Sequence, residues 1–459
     1  MRKLSLVIIF LIIISLLVSC AGAVENTSAE SSANTSSEGV SSEAAESSVA
    51  SSKEESSKVK NESSEVKVDM KTYNVRNFGA KANGQDDSPY IQAAIDKCAA
   101  DGGGVVLLPA GSYTISNTIY KKAAVSIVGD SMWATRLVWN GSDNSAMINT
   151  ANEALWGTSI ENIFFLKAKG DKIVGILGGS TLQNYNSAIG TFKNLVFFGL
   201  YCGIDGSAEP NGVGIFDCMF ENIFCSDCTY GLHLYGSGNT IIHPRIATCK
   251  AGLVLDYLNG ESFDGVHVIG GVFASNTTDI LIPSKNGTRP CNFVGTWFEN
   301  AAQGIINITN PGTRIMNITF RDCMLNSAAD NKNYFLFDTS NAYGTVTLDS
   351  CTVVNNDGIK APTDKNSILA ITNLQVLDRT GNYIINDRNS GHFTSAGGKT
   401  VYVIKHNLKM APTSVSVTPS TPETAKGGYY VTVDETQITI TFLTAPAGEI
   451  GFYWEVSRR

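Results

Sequence analysis

The sequence predicts an all-β protein: a right-handed parallel β-helix with an N-terminal capping helix, followed by a small C-terminal antiparallel β-sandwich. Three observations predict it. A hydrophobic pulse around Asn or Gly, a break, and a second alternating pulse recur from Ile160 onward, with starts every 19 to 32 residues. That is the period of a solenoid, whose units bury their apolar faces only by stacking. Only one segment after residue 69 reads as a good helix. The Asn-Gly pairs that would mark tight hairpins, such as Asn140-Gly141 and Asn259-Gly260, are not spaced regularly between paired strands.

The chain opens with Met1-Arg2-Lys3, an apolar run LSLVIIFLIIISLL, and then Val18-Ser19-Cys20. Cations, a greasy core and small residues form an export signal. The ending resembles a bacterial lipobox, which implies that residues 1–19 are removed and that Cys20 carries a lipid. The protein is then expected at the cell membrane, facing the extracellular or periplasmic side. Residues 20–68 form a tether with fifteen serines and no aromatic residue between Val24 and Val66. Such a segment buries too little apolar surface to order itself, and as a coil it reaches about 35 Å. The helix domain is expected over 69–390 and the C-terminal module over 391–459.

Net charge is −8, with no basic stripe to neutralise phosphates, so nucleic acid is excluded as a partner. Of ten cysteines, nine remain beyond Cys20. Cys225 and Cys228, with Cys218 and Cys249 nearby, lack the second Cys or His pair of a zinc site. A disulfide within this group stays open. No metal and no cofactor are called for.

The helix is expected over Ser88–Ala100, with Ser88 as N-cap, Pro89 at the first helical position and Gly102-Gly103-Gly104 as the stop. Around it, Phe78-Gly79-Ala80-Lys81, Asp86-Asp87, Ile91-Gln92-Ala93-Ala94-Ile95-Asp96 and the run GGGVVLLPAGSYTI fall in order over about 45 residues. This stretch resembles the opening of the pectate lyase superfamily, in its rhamnogalacturonase/epimerase-like branch that includes phage tailspikes. The resemblance implies a carbohydrate-active protein acting on a polysaccharide or glycoconjugate; the homotrimer common among tailspikes is an option the sequence does not fix. Asp86 and Asp87 are expected to serve turn and capping geometry. The polygalacturonase pattern departs here: Asn239-Thr240 is followed by Ile241, and neither Gly-His-Gly nor Arg-x-Lys occurs in the repeats.

Glycoside hydrolysis needs two carboxylates across the scissile bond. Aligning the turns on Ile223, Ile241, Val266, Phe293, Ile318 and Val346 puts Asp227, Arg245, Gly270, Trp297, Asp322 and Ser350 in one outward column. The catalytic candidates are Glu299, Asp256, Asp322 and Asp264. Trp297 is the candidate stacking platform, Arg245 the contact for a substrate carboxylate, and Tyr257 a further binding residue; His233 projects from GLHLYG. A surface-tethered glycoside hydrolase is the leading expectation. A polysaccharide lyase or epimerase and a non-catalytic glycan-binding solenoid are the alternatives. In the C-terminal module, Tyr429, Tyr430, Tyr453 and Trp454 are candidates to meet sugars.

Overall fold

The computed structural model describes residues 71–457, except position 152 and segments 180–187, 207–213, 257–264, 284–289, 310–312, 328–334, 338–341, 355–366, 373–374, 378–382, 387, 407 and 409–410. The signal, the tether and Cys20 therefore lie outside the described residues, as do Tyr257 and Asp264.

Each pulse of β-branched and aromatic residues becomes a short strand pairing in parallel with its counterpart one turn away. One such turn runs through Asn239–Ile242, Arg245–Ala247 and Ala251–Leu255. These three strands belong to three walls, here called sheets 1, 2 and 3. Sheets 1 and 2 are one 22-stranded hydrogen-bonded surface, and sheet 3 has nine strands. Paired positions lie between 21 residues apart (Phe220 with Ile241) and 33 apart (Ile127 with Ile160). The expected parallel β-helix is thus the fold observed.

Alternate residues point inward and stack on themselves from rung to rung. Phe192 lies on Phe220 with ring centroids 5.0 Å apart, Phe165 on Phe197 at 4.8 Å, and Phe293 on Phe320 at 5.0 Å, all with rings within 20° of parallel. Each such pair adds about 0.5–1.5 kcal/mol beyond the area it buries. All nine cysteines among the described residues are buried and outside any disulfide, filling the interior as small apolar groups.

Sheet 1 turns into sheet 2 through one residue in the left-handed region. Down the molecule this corner is Asn162, Asn194, Asn222, His243, Gly270, Gly295, Asp322 and Ser350, with φ between 49° and 65°. The three asparagines form a ladder: Asn222 Nδ2 donates to Asn194 Oδ1, and Asn194 Nδ2 to Asn162 Oδ1, each at 2.8 Å. Asparagine suits the position because its short polar side chain eases a conformation that costs other residues about 1–2 kcal/mol. A second corner, closing sheet 2, runs through Gly199, Asp227, Thr248, Ser275 and Asn300.

The expected single column of Asp227, Arg245, Gly270, Trp297, Asp322 and Ser350 is therefore corrected. Gly270, Asp322 and Ser350 occupy the first corner and Asp227 the second. Arg245 and Trp297 alone share an outward column, on sheet 2, separated by Val272. The true partner of Ile241 is Phe220 rather than Ile223, and on the other side Val268 rather than Val266.

The capping helix spans Ser88–Ala100 and buries Ile91, Ala94, Ile95 and Cys98 over the first coil. Its N-cap is Asp87, one residue before the expected Ser88, and Asp87 makes no side-chain cap bond. Its carboxylate instead accepts from the backbone N–H of Lys81 and Ala82 at 2.7 and 3.0 Å, while Asp86 accepts from Ser88 and Ser116. Both aspartates thus hold the turn. At the C-terminus, two three-stranded antiparallel sheets form the module, Arg388–Ser395 with Ile450–Ser457 and Ser414–Pro419, and Val401–Lys405 with Gln437–Phe442 and Tyr429–Val433. Tyr402, Ile440, Phe442 and Phe452 are among the buried residues of the sandwich. Tyr430 and Tyr453 are exposed, whereas Tyr429 and Trp454 pack against the core.

Candidate functional site

Along Tyr230–Leu234 of sheet 3, Leu232 and Leu234 point inward and are fully buried. Strand alternation then turns His233 outward, with Tyr235 two residues on. One rung earlier Ile204 is buried and turns Asp205 outward beneath His233. One rung later Leu255 ends its strand inward and leaves Asp256 outward.

These side chains meet. His233 Nδ1 faces Asp205 Oδ1 at 3.7 Å and Nε2 faces Asp256 Oδ2 at 3.6 Å, and the three side chains are 14%, 15% and 23% exposed. Nε2 is buried and has no hydrogen-bond partner. The imidazole lies 4.4 Å from the Tyr235 ring and 5.7 Å from Tyr230, which meets Tyr201 edge-on at 5.4 Å. Burial, and then the neighbouring Tyr230, push the Tyr201 phenol above its ordinary pKa. The result is a half-buried imidazole between two carboxylates on a floor of three phenols. It can take up or release a proton at Nε2, the operation of a general acid–base catalyst. Among the described residues, no group of three or more His, Cys, Asp or Glu side chains is arranged to hold a metal.

Of the residues singled out from sequence, this cluster contains Asp256, expected as a catalytic carboxylate, and His233, expected only to project from its strand. Glu299, Trp297 and Arg245 lie on sheet 2, a different wall of the solenoid. Asp322 sits at the first corner, exposed, its N–H bonded to the Asp349 carbonyl. About 13 Å of extended strand separates its rung-mate Gly295 from Glu299, so these two carboxylates do not form a pair. Glu299 is half-buried beside Asn300, and Trp297 is 43% exposed. Asp205 and Tyr235 share the outward parity of His233 in CGID and YGLHLYG, whereas Tyr230 has the parity of the buried Leu232 and Leu234, so alternation does not announce it.

Comparison with known proteins bears on the first part of this domain. Residues 72–155 match the family model described as Rhamnogalacturonase A/epimerase, pectate lyase-like. Mannuronan C5-epimerase AlgE1 of Azotobacter vinelandii is 38% identical over 101 residues, 20% of this chain and 7% of that protein. Alginate lyase 7 of the same organism is 45% identical over 71 residues, 14% of this chain and 8% of that protein. The chain thus spans less than a tenth of these relatives' length. Among solved structures, the tailspike protein of Acinetobacter phage vB_ApiP_P1 aligns with a TM-score of 0.48 at 13% identity, covering 84% of this chain and 86% of that one. Residues 72–155 thus resemble the opening segment of the pectate lyase-like superfamily, and a parallel solenoid follows them.

Proposed function

We propose that the protein is a polysaccharide-modifying enzyme whose proton-transfer group is His233, acting on a uronate-containing chain by β-elimination or C5 epimerisation. The observation that carries the reading is the unpartnered, buried Nε2 of His233, held between Asp205 and Asp256 over Tyr230 and Tyr235. Both reactions begin by removing the proton α to a carboxylate. They need one group to take that proton and another to deliver one, either to the leaving oxygen or to the opposite face of the sugar. An imidazole beside phenols supplies both kinds of group within one cluster. The N-terminal likeness to proteins named as an epimerase and a lyase supports the same substrate class.

A second reading is the glycoside hydrolase expected from the sequence. It is favoured by one observation: Asp205 and Asp256 are both half-buried and flank one point on the sheet. Against it, both carboxylates face the imidazole rather than each other across an open gap, whereas hydrolysis needs the sugar between them. With a lipid on Cys20, either enzyme would work tethered to the outer side of a membrane.

Incubating the protein with a panel of polyuronates and neutral polysaccharides separates the readings. Ultraviolet absorbance from unsaturated uronate marks elimination. A changed ratio of C5 epimers at constant chain length marks epimerisation. New reducing ends without absorbance mark hydrolysis and overturn the first reading. Loss of the signal in His233→Ala ties it to this cluster.

A further inference from the structure

A second feature lies on another wall and takes no part in the His233 cluster. On sheet 2, one outward column reads Arg136, Phe164, Val196, Phe224, Arg245, Val272 and Trp297, each paired with the next. The neighbouring outward column reads Val138, Leu166, Phe198, Ser226, Ala247 and Ala274 before it reaches Glu299. Between Arg136 and Val272 these two columns carry no acidic residue. Their only charges are the two arginines, in a chain of net charge −8.

Trp133 reaches over this strip from the turn that precedes it. Its ring meets Phe164 edge-on at 5.7 Å and Phe224 at 5.9 Å, and Val196 between them is 1% exposed. The indole nevertheless keeps 52% of its surface open. The turn is rigid: Ala134 and Thr135 both donate to the Ser131 carbonyl, and Arg136 Nε donates to the Trp133 carbonyl. Each arginine lies over a ring, Arg136 over Phe164 at 5.8 Å and Arg245 over Phe224 at 6.0 Å. Stacked in this way, a guanidinium keeps its N–H edge available for a carboxylate. Trp297, two rungs beyond Arg245, adds an open aromatic surface on the same line.

We infer that this face is a second, non-catalytic binding site for an acidic polysaccharide chain, with Trp133 and Trp297 stacking on sugar rings and Arg136 and Arg245 meeting their carboxylates. An exposed aromatic strip of this kind marks an interaction surface, and its two arginines, with no acidic residue in either column before Glu299, select an anionic occupant. Such a site would hold the polymer while the His233 cluster works on another stretch. The choice of an acidic glycan rests on the reading of that cluster.

The test is calorimetric titration of the full chain carrying His233→Ala, so that binding is read without turnover. Short oligomannuronates and oligogalacturonates are the probes, with dextran oligomers as the uncharged control. Two sites per chain are expected for an acidic oligomer. One should be lost in Trp133→Ala and weakened roughly tenfold in Arg245→Gln, with Trp133→Phe retaining part of it. Circular dichroism of the variants should match the parent, although Trp133→Ala gives up two edge-on ring contacts and lowers the urea midpoint. Unchanged stoichiometry in Trp133→Ala overturns the inference, and so does equal binding of dextran. A fall in oligomeric state by sedimentation, with glycan binding unchanged, also overturns it and makes the face a contact between copies. Absence of turnover on every polysaccharide, with the Trp133-dependent site present, would sink the catalytic reading and leave this one standing.

Discussion

Nε2 of His233 stands 3.6 Å from Oδ2 of Asp256, just beyond hydrogen-bonding distance, while Nδ1 faces Asp205 on the preceding rung. An imidazole so placed is oriented on both sides by carboxylates, and its Nε2 makes no hydrogen bond within the chain. His233→Ala should lower kcat by roughly 10²–10⁴, the usual worth of a general acid–base group. Asp205→Asn and Asp256→Asn should each lower kcat by a smaller factor with KM little changed, because they position the ring without touching sugar. Steady-state kinetics on the polysaccharide that responds in the panel reads all three. An Asp256→Asn enzyme with a kcat below that of His233→Ala would make Asp256 the reacting group instead.

Glu299 and Asp322 lie on the other side of this comparison. Glu299 is on sheet 2, and Asp322 sits at a corner where its left-handed backbone is its evident role. Glu299→Gln and Asp322→Asn should keep turnover within about twofold of the parent, as for surface changes remote from a site. A loss of tenfold or more in either, at unchanged stability, would move the chemistry away from His233.

The solenoid was legible because strand alternation reports which side chains face inward. Leu232 and Leu234 mark His233 as outward as clearly as Ile204 marks Asp205. The capping segment was legible through its turn residues, although Asp87 rather than Ser88 begins the helix. The rung on which each residue sits was not legible. A period of two is satisfied equally by a shift of two, which is how Val266 replaced Val268 in the alignment. The corner that would have fixed the count changes identity from Asn222 to His243, Gly270, Gly295 and Asp322. Since any short or polar side chain is tolerated in that conformation, no single residue type announces it. The Asp256–His233 contact depended on that count, because it joins residues on different rungs.

The asparagine corner makes a stability prediction. Asn194 both donates to Asn162 and accepts from Asn222. Asn194→Ala breaks two bonds, leaves a donor of Asn222 unpaired and puts a Cβ-only residue at φ 53°. A loss of about 2–5 kcal/mol is expected from about 0.5–1.5 per hydrogen bond and 1–2 for the backbone. Asn194→Gly should recover about 1 kcal/mol of it by relieving the backbone alone. Urea midpoints followed by tryptophan fluorescence measure both. Equal midpoints for the two variants would remove the backbone part of the account.

Asp279 makes the protein's stability depend on pH. It is fully buried on sheet 3, its Oδ1 accepts from Asn276 Nδ2 at 2.8 Å, and its Oδ2 has no partner. Asn276 also donates to the Ile246 carbonyl and accepts from the Cys249 N–H, which fixes the amide that faces Asp279. Burial raises the carboxyl pKa from 3.8 to about 8, opposed in part by the Asn276 bond. Between these values the folded chain holds a proton that the unfolded chain has released, so unfolding becomes easier as pH rises through the window. Below about pH 4 both states are protonated, and the effect vanishes. Above about pH 8 the slope ends, with the loss at its largest. Asp279→Asn resembles the protonated acid in shape and cannot ionise. Its stability relative to the parent should therefore be near equal at pH 4 and grow by up to about 1.4 kcal/mol per unit toward pH 8. Subtracting the two urea midpoints at each pH cancels every other titrating group, and a difference that stays flat from pH 4 to pH 8 would show that Asp279 is ionised in the folded protein throughout.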